Sequence, residues 1–248
     1  MIGFIGSGNM ARALARGWGD PLLATDSGSG RAAALIAELG GEALASNAEL
    51  AQRADVVVLA HKPAQLEAVA AELGGSTTPV VSLLGGTPLD RVRAAHPQAP
   101  VFRVEPNTPV ELRRGVSIFS HPGPSVDPAL ARAVHELFER VGTVIDLPDH
   151  LVAAAGATSG VGPAYAALVA EAMTDAAVRR GVPAPQAAAL VAGTLAGTAE
   201  MLLGGADTLA IRRAVASPGG STARGLAALE HGGVRSAFHH AIDAAMGA

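Results

Sequence analysis

The chain has 248 residues, 49% of them hydrophobic, with a formal net charge of −4 and no cysteine. That length and apolar share suffice for one large or two ordinary packed domains, and the lack of any basic block argues against a nucleic-acid partner. Without cysteine there is no disulfide, thiol nucleophile or thiolate metal site, and no run of about 20 apolar residues is free of charges and helix breakers. No cationic leader follows Met1, so a soluble cytoplasmic protein with no membrane partner is expected.

Ile2 to Ile5 is a short apolar run that ends in Gly6-Ser7-Gly8-Asn9-Met10-Ala11, after which Leu14 and Trp18 continue at helical spacing. The pattern reads as strand, tight turn and helix. Gly6 makes the turn, Gly8 lets a pyrophosphate approach the backbone, and Ala11 packs helix on strand. Leu22 to Asp26 is a second strand. Asp26 falls near the ~20-residue offset at which an acid binds the adenosine ribose of NAD. Ser27, Ser29 and Arg31 follow at once and suit the 2′-phosphate of NADP instead. Asp26 or Ser27 can also simply cap the helix that starts near Arg31, so the cofactor stays open between NADP and NAD.

Asn47 is placed to cap a short helix ending near Arg53, and Asp55 to Ala60 is the continuous apolar run of a strand buried on both faces. His61, Lys62 and Pro63 lie just past its carboxyl end, where open α/β sheets bind ligands. Further strands are predicted over Pro79–Leu84, Pro100–Val104, Val116–Phe119 and Thr143–Asp146, with helices from Pro88 and over Pro128–Arg140. Glu105 to Pro109 is too rich in proline for helix or strand. Asn107 within it can orient a carboxamide or hold the loop as an Asx turn. The alternation predicts an α/β fold with a doubly wound parallel sheet over residues 1–148.

From His150 onward no strand pattern recurs, so residues 149–248 are read as an all-α domain. Pro163 suits the start of a helix on which Tyr165, Leu168, Val169, Ala172, Met173 and Ala176 form one stripe. That stripe is expected to be buried as the centre of the domain. A long helix from about Pro185 to Leu203 follows, then helices over Leu209–Val215, from Thr222 towards Leu229, and over Val234–Met246. Ser217-Pro218-Gly219-Gly220-Ser221-Thr222 places two glycines and hydroxyl donors ahead of a helix, a composition that suits a carboxylate or equally a capped turn. None of the eight histidines has metal-ligand spacing, and no metal site is expected.

Gly6-x-Gly8-Asn9-Met10, Lys62-Pro63, Pro106-Asn107-Thr108-Pro109, Ser159-Gly160-x-Gly162-Pro163-Ala164-Tyr165, Glu171-Ala172-x-x-Asp175-Ala176, Met201-Leu202-Leu203 and Ser217-Pro218-Gly219-Gly220-x-Thr222 occur in this order. Together they resemble the pyrroline-5-carboxylate reductase family along the whole chain. The resemblance implies an N-terminal Rossmann-like domain and a C-terminal domain that forms a homodimer, with dimers assembling into decamers. It implies reduction of the cyclic imine carboxylate pyrroline-5-carboxylate to proline with NADPH or NADH, the last step of proline biosynthesis. By the same resemblance Gly6, Ser7, Gly8, Asn9 and Met10 cradle the pyrophosphate, while Ser27 and Asn47 meet the adenosine phosphate end. His61 to Pro63 would line the ribose and Asn107 the nicotinamide. Ser217, Gly219, Gly220 and Ser221 would hold the substrate carboxylate, with Thr222 hydrogen-bonding the imine region as the catalytic residue.

The chain departs from the family at Val161, in place of a usual serine beside the substrate pocket, and at Glu105, in place of an apolar residue. Gly205 stands in a segment where the acidic-His-Pro element is missing, and Arg213 replaces a common Asp. These changes leave open a paralogue acting on a six-membered piperideine carboxylate, or a catalytically silent dinucleotide-binding protein. A β-hydroxyacid dehydrogenase would need a lysine in its helical domain, and Lys62 is the only lysine.

Overall fold

The structure, a computed structural model, describes residues 1–120, 122–123 and 125–247. By their contacts the residues divide into two compact units, Met1–Pro163 and Ala164–Ala248.

The first unit is built on one eight-stranded sheet of β1 (Ile2–Ile5), β2 (Leu22–Thr25), β3 (Gly41–Ala43), β4 (Val56–Leu59), β5 (Val80–Ser82), β6 (Val101–Pro106), β7 (Gly115–Ser120) and β8 (Gly142–Leu147), in the order β3-β2-β1-β4-β5-β6-β7-β8. Its helices are α1 (Asn9–Trp18), α2 (Arg31–Leu39), α3 (Asn47–Arg53), α4 (Leu66–Glu72), α5 (Leu89–Ala95), α6 (Pro128–Glu139) and α7 (Asp149–Ser159). Alternate strand residues feed two cores. Phe4 and Val58 join Leu14, Trp18, Leu35, Val134 and Phe138 on one face, and Ile5, Val57 and Leu59 join Leu50, Leu66, Leu89 and Val92 on the other. Sheets covered on both faces need strands apolar on both faces, which is why the central strands read as unbroken apolar runs. Trp18 anchors the first core, edge-on to Phe138 at 5.5 Å with its indole N–H donated to the Leu137 carbonyl at 2.8 Å.

The sheet departs from the expected all-parallel pattern at one point. β1 to β6 run parallel, but β7 is antiparallel to β6, with Arg103 opposite Ser120, and β8 then runs parallel to β7. The connection between β6 and β7 spans only residues 107–114. A parallel return needs about a dozen residues or more, so this segment can only turn back. Glu105 and Pro106 extend β6, and Thr108–Leu112 is a short 3₁₀ turn, so the proline-rich stretch is more regular than its composition suggested. β3, α4 and α7 lack a sequence pattern strong enough to have announced them. Asn47 is the first residue of α3 and not its cap; Ser46 takes that position and accepts the Glu49 N–H at 3.3 Å.

The second unit holds α8 (Gly162–Val178) from its third residue on, with α9 (Ala184–Leu203), α10 (Thr208–Val215), α11 (Ser221–His231) and α12 (Val234–Met246). The stripe expected to be buried on α8 is not. No residue of α8 is buried; Leu168 is 64% exposed and Met173 40%. Alanine-rich helices of a single chain cover one another poorly, because each short side chain buries little area. Asp149–Val178 and Ala184–Leu203 are long and apolar enough, by length and composition, to cross a membrane, which the expectation of no such run did not foresee. α9 reaches that hydropathy despite Gly193, Gly197 and Glu200 within it.

Candidate functional site

A cleft of about 680 Å³ opens at the carboxyl ends of β1, β2 and β4. This is the point at which chain order reverses across β1, where open α/β sheets bind ligands. One wall is the turn after β1 (Gly6, Ser7, Gly8), the loop after β2 (Asp26, Ser27, Ser29) and Arg31 at the start of α2. The other is His61, Lys62 and Pro63 with Gln65, Val69 and Glu72, and Asn47 also lines the space.

The two motif glycines differ physically. Gly6 has φ +94°, and a Cβ there would lie 2.7 Å from the His61 nitrogen and 2.8 Å from the Ala60 carbonyl. Gly8 has no atom within 4 Å of where its Cβ would be. Gly6 is demanded by the protein, and the space beside Gly8 is kept open towards whatever sits at the start of α1. That helix has no side-chain cap and no acidic residue in its first turn, so its first N–H groups and positive dipole end are available to an anion.

Asp26 is committed to its own loop. Its Oδ1 accepts the Gly28 and Ser29 N–H groups at 2.7 and 3.0 Å, and Oδ2 accepts the Ala32 N–H at 2.7 Å. The Ala32 N–H in particular holds the carboxyl below its ordinary value, with Gly28 and Ser29 adding to it against the effect of burial. Ser27, Ser29 and Arg31 are exposed along the same wall. Ser7 lines the cleft, but its hydroxyl is buried and donates to the Thr25 carbonyl at 3.2 Å. Asn9 is exposed at the start of α1, and Met10 packs against the core below.

Across the cleft Thr25 donates its hydroxyl to Asn47 Oδ1 at 2.5 Å, and Asn47 Nδ2 donates to Glu72 Oε2 at 2.5 Å. His61 lies against the Lys62 carbonyl through Nδ1 at 2.9 Å, which places the ring proton on Nδ1. Its Nε2 is buried without a partner among the described residues, and burial holds the imidazole below its ordinary value. Thr25, Gln65, Val69 and Glu72 were missed in the sequence. Three of them sit on or just before α4, a helix whose seven residues carry too little periodicity to reveal its face.

Asn107 is not among the cleft residues. It is 8% exposed, accepts the Val116 N–H at 2.8 Å and donates to the Ser159 carbonyl at 3.2 Å, tying β6 to β7 and to the end of α7. The same face of β6 carries Arg103 and Glu105. Arg103, 5% exposed, donates to Asp149 at 3.0 Å, and Asp149 also accepts the Ser120 hydroxyl and the Leu89 N–H. Burial would raise the Asp149 carboxyl, but Ser120, Arg103 and Leu89 together hold it below its ordinary value. Glu105 sits 3.8 Å from Arg103, and burial pushes its carboxyl up against that weaker pull. It fits because residue 156 is glycine: a Cβ there would fall 2.3 Å from Glu105 Oε1.

In the second unit, Ser217–Gly220 turns back on itself, the Gly220 N–H donating to the Ser217 carbonyl at 3.0 Å, and Gly220 stands as the residue before α11. Gly219 has φ +69°, and a Cβ on Gly220 would meet the Ser217 hydroxyl at 2.4 Å. Ser217 and Ser221 are exposed and Thr222 half-buried in the first turn of α11. Arg224 donates to the Gly219 carbonyl at 2.5 Å, bracing the turn. Val161 belongs to the first unit and is 40% exposed.

Residues 1–86 match the family described as "NADP oxidoreductase coenzyme F420-dependent", and residues 149–248 match "Pyrroline-5-carboxylate reductase dimerisation". A pyrroline-5-carboxylate reductase of Synechocystis is 38% identical over 80% of this chain and 75% of its own length. One of Methanosarcina acetivorans is 34% identical over 97% of this chain and 93% of its own. The crystal structure of a Plasmodium falciparum pyrroline carboxylate reductase with NADP bound superposes with a TM-score of 0.88 at 27% identity, covering 99% of this chain and 95% of that one. With a matched dimerisation segment over residues 149–248 and relatives 34–38% identical over 80–97% of its length, the chain belongs to the pyrroline-5-carboxylate reductase family.

Proposed function

We propose that the protein reduces pyrroline-5-carboxylate to proline with NADPH, the closing step of proline biosynthesis. The observation that carries this reading is the cleft over β1, β2 and β4, kept open beside Gly8, on a chain that aligns with the Methanosarcina reductase over 97% of its length. Bound NADPH supplies the hydride. The backbone from Gly6 to Met10 binds the pyrophosphate at the N-terminus of α1, and Lys62 and Pro63 border the ribose. Ser27, Ser29 and Arg31 bind the 2′-phosphate. Asp26, whose oxygens already accept three N–H groups, shapes that loop and does not serve the ribose hydroxyls, which supports NADPH over NADH.

The turn Ser217 to Ser221 binds the substrate carboxylate, for which it offers hydroxyl groups and the positive end of α11. Thr222 hydrogen-bonds the imine nitrogen. A protonated imine is already electrophilic, so orienting it in a site from which water is excluded supplies much of the rate. The exposed apolar faces of α8 and α9 are covered by a second copy of the chain, and dimers assemble further into a decamer in the cytoplasm. The rows of alanine and glycine on these helices support close helix–helix approach more than lipid contact, which favours bulkier side chains.

Initial rates of NADPH and NADH oxidation with pyrroline-5-carboxylate and with the six-membered piperideine carboxylate test the reading. Faster turnover of the five-membered ring with NADPH is expected. Arg31→Ala should lower kcat/KM for NADPH roughly tenfold, as loss of one charge-assisted phosphate contact implies, and leave NADH unchanged. Preference for the larger ring, or an equal loss with both cofactors, would contradict it.

A further inference from the structure

We infer that Glu72 reads the adenine base of the dinucleotide, accepting its exocyclic amino group and so excluding nucleotides that carry a carbonyl at that position. The inference rests on the reading of the cleft as a dinucleotide site and assigns a specificity to its wall opposite Ser27 and Arg31.

A carboxylate in a site for a polyanionic ligand calls for an explanation, because it repels phosphate. The cleft has two such groups, Asp26 and Glu72. Asp26 is accounted for by the Gly28, Ser29 and Ala32 N–H groups. Glu72 is only half used by the protein: it stands at the last residue of α4, exposed, with Oε2 accepting from Asn47 and Oε1 without a hydrogen-bond partner among the described residues. Both ends of the Asn47 amide are occupied, by Thr25 and by Glu72 itself, so Asn47 positions the carboxylate and has little capacity left for a base. The chain Thr25–Asn47–Glu72 links β2, α3 and α4, holds the carboxylate at the cleft wall and leaves Oε1 as an acceptor for the one strong donor that adenine presents.

The remaining wall suits a flat heterocycle. Val69 lies one helical turn before Glu72, on the same side of α4, and Ala45 and Pro63 add further apolar surface. The unpaired Glu72 Oε1 on this wall favours a base edge that donates to it. A 6-oxo base turns a carbonyl towards the carboxylate and loses affinity on both counts, an unpaired acceptor and a repulsion.

The test is the affinity of the wild-type chain and of Glu72→Gln for NADPH and for its deamino analogue, in which hypoxanthine replaces adenine. Both are followed by the fluorescence of the same dihydronicotinamide. Wild type should bind NADPH at least about tenfold more tightly than the analogue, the scale on which a site built for a hydrogen-bonding group rejects its mismatch. In Glu72→Gln the ratio should fall to near unity, because an amide can either accept or donate. Equal binding of the two nucleotides by wild type, or an undiminished ratio in the variant, would overturn the assignment while leaving the dinucleotide site intact. Failure of wild type to bind NADPH at all would overturn the cofactor reading and this inference with it.

Discussion

Gly6 and Gly8 stand two residues apart in one motif and answer to different forces. Alanine at Gly6 must adopt φ +94° and meet backbone atoms of Ala60 and His61, so it should cost about 2–3 kcal/mol of stability, read as a lowered melting temperature. Alanine at Gly8 meets no protein atom and should leave the melting temperature unchanged while weakening NADPH binding at least tenfold. A Gly8→Ala protein that binds NADPH as tightly as wild type would remove the pyrophosphate from this turn. The two carboxylates on Arg103 likewise part company. Asp149 is held below its ordinary value, so its contribution is present above the usual carboxylate range and is lost as pH falls through the folded-state value. Glu105 is held above its ordinary value, so its contribution is present in acid and is lost as pH rises. Asp149→Asn should therefore destabilise by about 2 kcal/mol at neutral pH, reduced from the usual cost of a broken buried pair because Asp149 is a third exposed and Glu105 remains. Its deficit should shrink towards strongly acid pH. Glu105→Gln should instead gain on wild type as pH rises, and urea melts across pH separate the two.

At the scale of elements, the packing of α1 against the 3₁₀ turn at Thr108–Leu112 depends on an absent side chain. A Cβ on Gly17 would lie 2.2 Å from the Val110 carbonyl oxygen. Helix propensity alone predicts that Gly17→Ala stabilises α1 by about 1 kcal/mol, but overpacking against a fixed backbone costs about 3 kcal/mol, so a net loss of about 2 kcal/mol is expected in chemical denaturation. A stabilised variant would show that the α1 contact yields easily. The sequence made visible those elements whose composition follows one physical rule: β4, apolar throughout because both faces are covered, and the glycine turn into α1. It hid those whose placement depends on the rest of the fold. β3 is a three-residue, fully exposed edge strand. The reversal at β7 depends on the length of a connection, not on any residue within it. Asp26 illustrates the same limit in the site, since its offset from the glycines fits a ribose ligand and a loop brace equally well. The three N–H groups around it show the brace, which no offset in the sequence reveals, and Glu72 had no motif to draw attention to it.

The whole molecule has an N-terminal unit with two cores and a helical unit that leaves many of its large apolar side chains uncovered. Leu168, Met173, Leu190, Leu202 and Leu203 are all at least 40% exposed, a surface that single chains of soluble proteins rarely present. The proposed dimer accounts for them by covering them with a second copy. In detergent-free buffer the wild type should elute with the mass of a dimer or a multiple of it by light scattering, and Leu168→Glu with Leu190→Glu should lower that mass and expose dye-binding apolar surface. A wild-type chain that stays monomeric, or that needs detergent to remain dispersed, would contradict this assembly. The central claim is chemical, and it is tested most directly by incubating the purified protein with pyrroline-5-carboxylate and NADPH and measuring proline formed against NADPH consumed. One proline per NADPH, with no consumption when the imine is omitted, is the result predicted. NADPH bound but not consumed, or consumed without proline appearing, would contradict it.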